Sequence, residues 1–191
     1  MLADKALEAG IAGSLRWTVL RRSAPPSQFD PRQLRQALLS MAGARLGAGE
    51  RVGIAVGSRG IARLPEVVGL VVEAVKAAGA TPLVIPAMGS HGGATSEGQV
   101  AVLHELGVTE AVVGAPIEAS MGTQQVGSAP GGHPVYLSTA ALTCEAIVPV
   151  NRVKPHTDFR AEIESGLTKM LTIGLGKEAG ASSLHQAGFS S

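Results

Sequence analysis

Three short apolar runs set the strongest limit on how this chain can fold: RVGIAVG at residues 51 to 57, TPLVIPAM at 81 to 88 and EAIVPV at 145 to 150. Each is too short for a typical helix and too continuously apolar for a strand with one wet face, so each reads as a strand covered on both sides. Residues 64 to 78, between the first two, carry apolar side chains at helical spacing, with Pro65 near the start and Gly79 at the end. A glycine-rich loop, GSHGGAT, follows the second run and leads into a helix to about Leu106, where Ser96 and Gln99 read as a capping box. Strand, helix, strand, helix in that rhythm predicts an α/β domain: a mostly parallel sheet with helices on both faces, Rossmann-like. Residues 111 to 137 break the rhythm with a Pro-Gly-Gly turn between strand-like pieces and are expected to form a small β-hairpin excursion.

Upstream, residues 15 to 20 alternate as a strand would, and Asp30 followed by Pro31 marks a helix start. Leu34, Ala37, Leu38 and Met41 then repeat at helical spacing, giving that helix one apolar face to bury. Beyond the third run, Ile163, Leu167, Met170 and Leu171 mark another helix.

Composition removes several classes of function. With 16 basic and 15 acidic residues there is no charge surplus to neutralise phosphates, so nucleic acid and anionic membranes are poor partners and a small substrate is expected. No apolar run approaches the roughly 18 residues that suggest a membrane span. The first residues carry acidic groups where a secretory signal would be positive, and the single Cys144 cannot form an internal disulfide. A cytoplasmic location is therefore expected. Gly is abundant at 25 residues and aromatics are only 3%, which favours close backbone approaches over an aromatic-lined pocket.

In open parallel sheets, ligands bind beyond the carboxyl ends of the strands, where loops and helix N-termini converge. Three loops here leave such ends with reactive side chains: Ser58 and Arg59 after the first run, Ser90 and His91 after the second, and Asn151, Arg152, Lys154 and His156 after the third. His91 sits between Ser90 and two glycines, with no apolar face to hold it as a core histidine; a turn-stabilising hydrogen bond is its plain structural alternative. Arg59 lies in a Gly-Ser-Arg-Gly setting that lets backbone and guanidinium meet a carboxylate together, although a surface ion pair would also satisfy it. Taken alone, Lys169 reads as a solvated lysine, and His104 and His133 as surface residues. GLGKEAG at 174 to 180 fails as a P-loop, with Glu178 where Ser or Thr should hold magnesium and Leu171 where Gly is required. His91, His156 and His185 also allow one zinc that activates water, but no acidic residue lies at a spacing that marks a general base.

Taken together, GSRGIA at 57 to 62, MGSHGGATSEGQ at 88 to 99, NRVKPHTDF, the following ESGLTKM and the late His185 resemble the nickel-dependent lactate racemase family, specifically the N-terminal domain of its wider set of 2-hydroxyacid racemases and epimerases. The chain differs from lactate racemase in reading GSHG where that enzyme has roughly GTHR, and Gly-Leu-Thr-Lys where it has Gly-Gly-Arg-Lys. The resemblance implies a nickel pincer nucleotide, the nickel complex of pyridinium-3,5-bisthiocarboxylic acid mononucleotide, attached through Lys169 as a thioamide. It implies His185 as a nickel ligand, His91 and His156 as the acid/base pair, and Arg59 as the group that orients the substrate. Ser58 and Ser90, in the same loops, are expected to help bind the cofactor. The implied activity is that of an isomerase acting on a lactate-like 2-hydroxy acid, by hydride transfer through a 2-keto acid. Family members also carry a C-terminal domain that covers the site, so residues 1 to 191 are expected to be a single α/β domain, the incomplete N-terminal catalytic and cofactor-binding part of a two-domain enzyme. A non-catalytic cofactor- or anion-binding domain is the alternative, and a His-ligated zinc hydrolase a lesser one.

Overall fold

The structure is a computed structural model that describes residues 29–58, 60–129, 131–152 and 166–187, with the side chains of 168 and 184–187 outside the description. The strand expected at residues 15 to 20, and Ile163, lie outside the described residues.

Helix α1 (Pro31–Arg45) begins where its sequence predicts. The Asp30 carboxylate accepts hydrogen bonds from the backbone N–H of Arg32 at 2.9 Å and Gln33 at 3.4 Å, and Pro31 takes the first helical position. Its buried stripe is narrower than the apolar spacing suggests. Leu38 packs on the core and Ala42 is buried, but Ala37 is exposed and Met41 is 54% exposed. The reason is its place: α1 packs chiefly on α2 (Leu64–Ala77) and not on the sheet, and a single helical neighbour covers only a thin strip. Arg35 and Glu73 pair across that contact.

The strands are β1 (Arg51–Val56), β2 (Thr81–Pro86), an antiparallel hairpin of β3 (Thr123–Ser128) and β4 (Pro134–Ser138), and β5 (Ala146–Val150). β1, β2 and β5 form one parallel sheet in the order β2-β1-β5. β1 is central and buried from Val52 to Val56, as its unbroken apolar run requires. Helix α2 connects β1 to β2 and ends at Gly79, whose φ of +77° suits a residue without Cβ. After β2 come α3 (Ser96–Glu105) and the short α4 (Glu110–Val113), which the sequence reading does not anticipate. A parallel bridge from Val84 to Ile117 continues the sheet past β2.

Alternate residues of β1 serve two cores. Val52, Ile54 and Val56 meet Leu64, Val68 and Val72 of α2 and Leu103 of α3 on one face. Ala55 meets Ile85, Met170, Leu175 and the alanines of α5 (Thr139–Leu142) on the other. Gly53 points to this second face, where a Cβ would lie 2.7 Å from the Ile147 Cδ1 and 3.0 Å from the Ile85 Cδ1. Its lack of a side chain lets isoleucines from both flanking strands close over the middle of the sheet. The fold is thus α/β, with a parallel sheet, helices around it and a small hairpin, as the sequence predicts.

The segment after residue 165 departs from expectation. One turn, α6 (Leu167–Lys169), passes into a π-helical turn, Met170–Gly174, in which the Leu175 N–H donates to the Met170 carbonyl at 2.8 Å. Among the described residues of the anticipated apolar stripe only Met170 is buried; Leu167 is 57% and Leu171 46% exposed. Backbone takes the place that side chains would otherwise fill. A Cβ on Gly174 would lie 2.7 Å from the Ala87 carbonyl oxygen, and one on Gly176 would lie 2.1 Å from that of Thr172. The glycines of GLGKEAG therefore serve close packing. Helix α7 (Lys177–Ala187) follows, braced on the hairpin by Ser183, whose Oγ donates to the Pro134 carbonyl at 2.7 Å, while the Ser138 N–H donates to the Leu175 carbonyl at 2.7 Å. Among the described residues, no helix is long and apolar enough to cross a membrane.

Candidate active site

Because β1, β2 and β5 run parallel, their carboxyl ends share one edge of the sheet. Backbone bonds tie the exits together: the Gly57 N–H donates to the Val150 carbonyl at 3.4 Å and the Ala87 N–H to the Val56 carbonyl at 2.8 Å. The π turn docks on this edge too. Met170 Sδ lies 3.4 Å from where a Cβ on Gly57 would stand, and the Gly89 N–H donates to the Gly174 carbonyl at 3.2 Å. Lys169, one residue before Met170, is therefore carried to the same edge, with its side chain exposed.

The loop after β2 presents His91. Gly89, Gly92 and Gly93 all adopt positive φ, and Gly92 is interlocked with the start of α3, since a Cβ there would lie 2.5 Å from the Gly98 carbonyl carbon. His91 is exposed, and its Nδ1 shares a 2.5 Å hydrogen bond with the Oγ of Ser58 from the neighbouring loop. A bond at Nδ1 fixes the orientation of the imidazole, a common way of preparing such a ring for proton transfer.

The capping box expected from Ser96 and Gln99 is not formed. Thr95, one residue earlier, caps α3, its Oγ1 accepting from the Gly98 N–H at 3.0 Å. Gln99 is wholly buried instead. Its Nε2 donates to the Gly89 carbonyl at 2.8 Å and to the His91 carbonyl at 3.3 Å, while its Oε1 accepts from Lys177 Nζ at 2.8 Å. The same amine donates to the Pro86 carbonyl at 2.7 Å. Lys177 is also wholly buried, and burial pushes its amine down to about 8, with Glu118 acting in the opposite direction.

Of the residues singled out in the sequence, the fold brings Ser58 and His91 into contact and places Ser90, exposed, in the same loop. Lys169 shares their edge, as do half-buried Asn151 and exposed Arg152. Arg59, Lys154 and His156 lie outside the described residues, and His185 falls within α7 with its side chain outside the description. His104 is exposed on α3 and His133 is half-buried. Among the described residues no group of three His, Cys, Asp or Glu side chains is placed to hold a metal ion, and the histidine trio of the zinc reading includes two side chains beyond that set. Gln99 and Lys177 are the polar residues that the sequence reading misses. The available signal is a lysine enclosed by the glycine run of GLGKEAG, which does not fit a phosphate site, and an amide shortly after the His91 loop.

Compared with family models and with curated proteins, the chain matches none.

Proposed function

We propose that this chain forms the cofactor-bearing part of a nickel-pincer-nucleotide-dependent racemase or epimerase of a 2-hydroxy acid. The observation that carries the reading is the meeting, at one edge of a parallel sheet, of the Ser58–His91 pair with the turn that ends in Lys169. The donor chemistry suits the group: an exposed primary amine can form the thioamide link, and the hydroxyls of Ser58 and Ser90 lie on the same edge. Lys169 would hold the nucleotide, and His185 would add one imidazole to its soft sulfur donors, a donor set suited to nickel. When bound, the cofactor would supply the hydride acceptor and donor for the substrate Cα.

The remaining work belongs to the side chains. Arg59 holds the substrate carboxylate through the exchange. His91 and His156 would act as the acid/base pair, one taking the hydroxyl proton from one enantiomer and the other returning a proton to form the mirror image. An ordinary imidazole, which titrates near about 6.5, can serve in either role at neutral pH. Ser58 keeps the His91 ring turned for that transfer.

Production alongside the enzymes that assemble the cofactor tests the reading. Expected are a mass adduct on Lys169, bound nickel, and interconversion of the D and L forms of lactate, malate or a larger 2-hydroxy acid. The absence of both adduct and nickel would overturn it; adduct without racemisation would move the chain to a non-catalytic cofactor carrier. His185→Ala should lower nickel content while sparing the lysine adduct.

A further inference from the structure

We propose that Gln99 and Lys177 are positioning residues, a two-part clamp that sets where His91 stands at the mouth of the sheet. Its bearing on catalysis rests on the racemase reading; the clamp itself does not.

The His91 loop is rich in alternatives. Three of its residues are glycines at positive φ, and a glycine chain has more conformations to lose than any other. Within the loop, the His91 N–H donates to the Met88 carbonyl at 3.2 Å and the Ala94 N–H to the Ser90 carbonyl at 3.0 Å. Gln99 adds a hold from behind. Its NH2 group bonds carbonyls on both sides of Ser90, those of Gly89 and His91, and so fixes the span that carries the imidazole.

A primary amide can turn over and exchange its oxygen for its nitrogen, and only its nitrogen end can bond two carbonyls. Lys177 decides the matter. A protonated amine has donors and no acceptor, so the Gln99 oxygen must face Nζ and the NH2 must face the loop. Lys177 is in turn anchored on the Pro86 carbonyl, the last residue of β2. The chain of bonds thus runs from the rigid end of a core strand, through an amine and an amide, to the backbone of His91. The backbone of Lys177 adds a separate indication. Its φ is +54°, a region that favours glycine, so this position carries a conformational cost with a lysine that the neighbouring glycines would avoid.

Gln99→Glu keeps the size of the side chain and the acceptor for Lys177 but removes the NH2. Lys177→Met keeps the bulk and frees the amide to turn. In the full chain without cofactor, hydrogen exchange at the His91 and Ala94 amides should quicken about tenfold in each variant, while the β1 amides keep the parent's rates. The His91 ring ¹⁵N shifts should move toward those of Ser58→Ala, in which the Nδ1 bond is removed outright. Loop exchange and ring shifts equal to the parent's would overturn the clamp, as would a change spread evenly over β1 and the loop, the mark of a merely structural role. Should one variant lose the parent's cooperative unfolding transition, the other decides. In the parent itself, His91 and Ala94 amides exchanging as fast as unprotected ones would overturn the clamp without any variant. In cofactor-loaded protein Gln99→Glu should lower kcat with little change in KM. A parent that takes up no cofactor would end the racemase reading and leave the exchange result to judge the clamp alone.

Discussion

A buried lysine makes folding depend on pH in an unusual direction. The Lys177 amine is depressed to about 8 from 10.5 by burial among neutral partners, the Pro86 carbonyl and the Gln99 amide, with Glu118 the charged group acting the other way. Between those two values the unfolded chain binds the proton and the folded chain releases it, so stability rises with pH across the window. Below about 8 both forms carry the charge, and the full cost of burying it is felt. A displacement of this size is worth at most roughly 3 to 4 kcal/mol. Urea midpoints should therefore increase from pH 7.5 to about 10, and Lys177→Met should flatten that slope; a parent midpoint that falls over the same interval would contradict the assignment. Nothing in the sequence around position 177 announces this behaviour. Lysine is ordinarily solvated, and its enclosure here is decided by how the π turn docks on β2, a tertiary event without a periodic signature. Gln99 was hidden differently: a Gln three residues after a Ser fits a capping box, and only the path of the loop shows that Thr95 takes the cap and leaves the amide free to turn inward.

The elements divide into those specified locally and those specified by contact. α1 belongs to the first kind, because its start is written in Asp30 and Pro31. Asp30→Ala should cost about 1 kcal/mol in chemical denaturation. The π turn belongs to the second kind, since its shape follows from the fit of glycine against the end of β2. Gly174→Ala places a methyl 2.7 Å from the Ala87 carbonyl oxygen, so turn and strand must separate. A loss of roughly 1 to 3 kcal/mol is expected. Gly69 provides the contrast. It lies inside α2 with nothing within 4 Å of a new Cβ, and Gly69→Ala should stabilise by about 0.5 to 1 kcal/mol. Equal effects at the two glycines, measured by denaturant titration, would refute the account of the turn. The same division explains which helices were readable. α2 has a proline in its first turn, an apolar stripe and a glycine just past its end, whereas α4 has four residues and too little length for any period to register.

For the molecule as a whole, β1 is the shared wall. It is paired on both edges and contributes alternate side chains to two separate cores. Amides of β1 should therefore be the slowest to exchange, opening only with global unfolding, while those of β3, whose residues are mostly exposed, should exchange by local opening. Ile54→Ala on one face and Ile85→Ala on the other should each cost about 2 to 5 kcal/mol. Both should shift a single transition; separate transitions for the two faces would show that β1 does not couple them. This architecture was plain in the runs of β1 and β2, because a strand buried on both sides leaves no room for polar residues, whereas β5, read as covered on both sides, lies at the edge of the sheet and is half-buried from Ala146 to Pro149. The site was readable only in part: placing Ser58, Ser90 and His91 follows from strand direction, whereas the supports behind them depend on long-range docking. One practical result concerns Ser90. The carbonyls on either side of it are gripped from the interior while Ser90 itself is exposed, so a protein engineer can exchange that side chain without disturbing the amide that holds the loop.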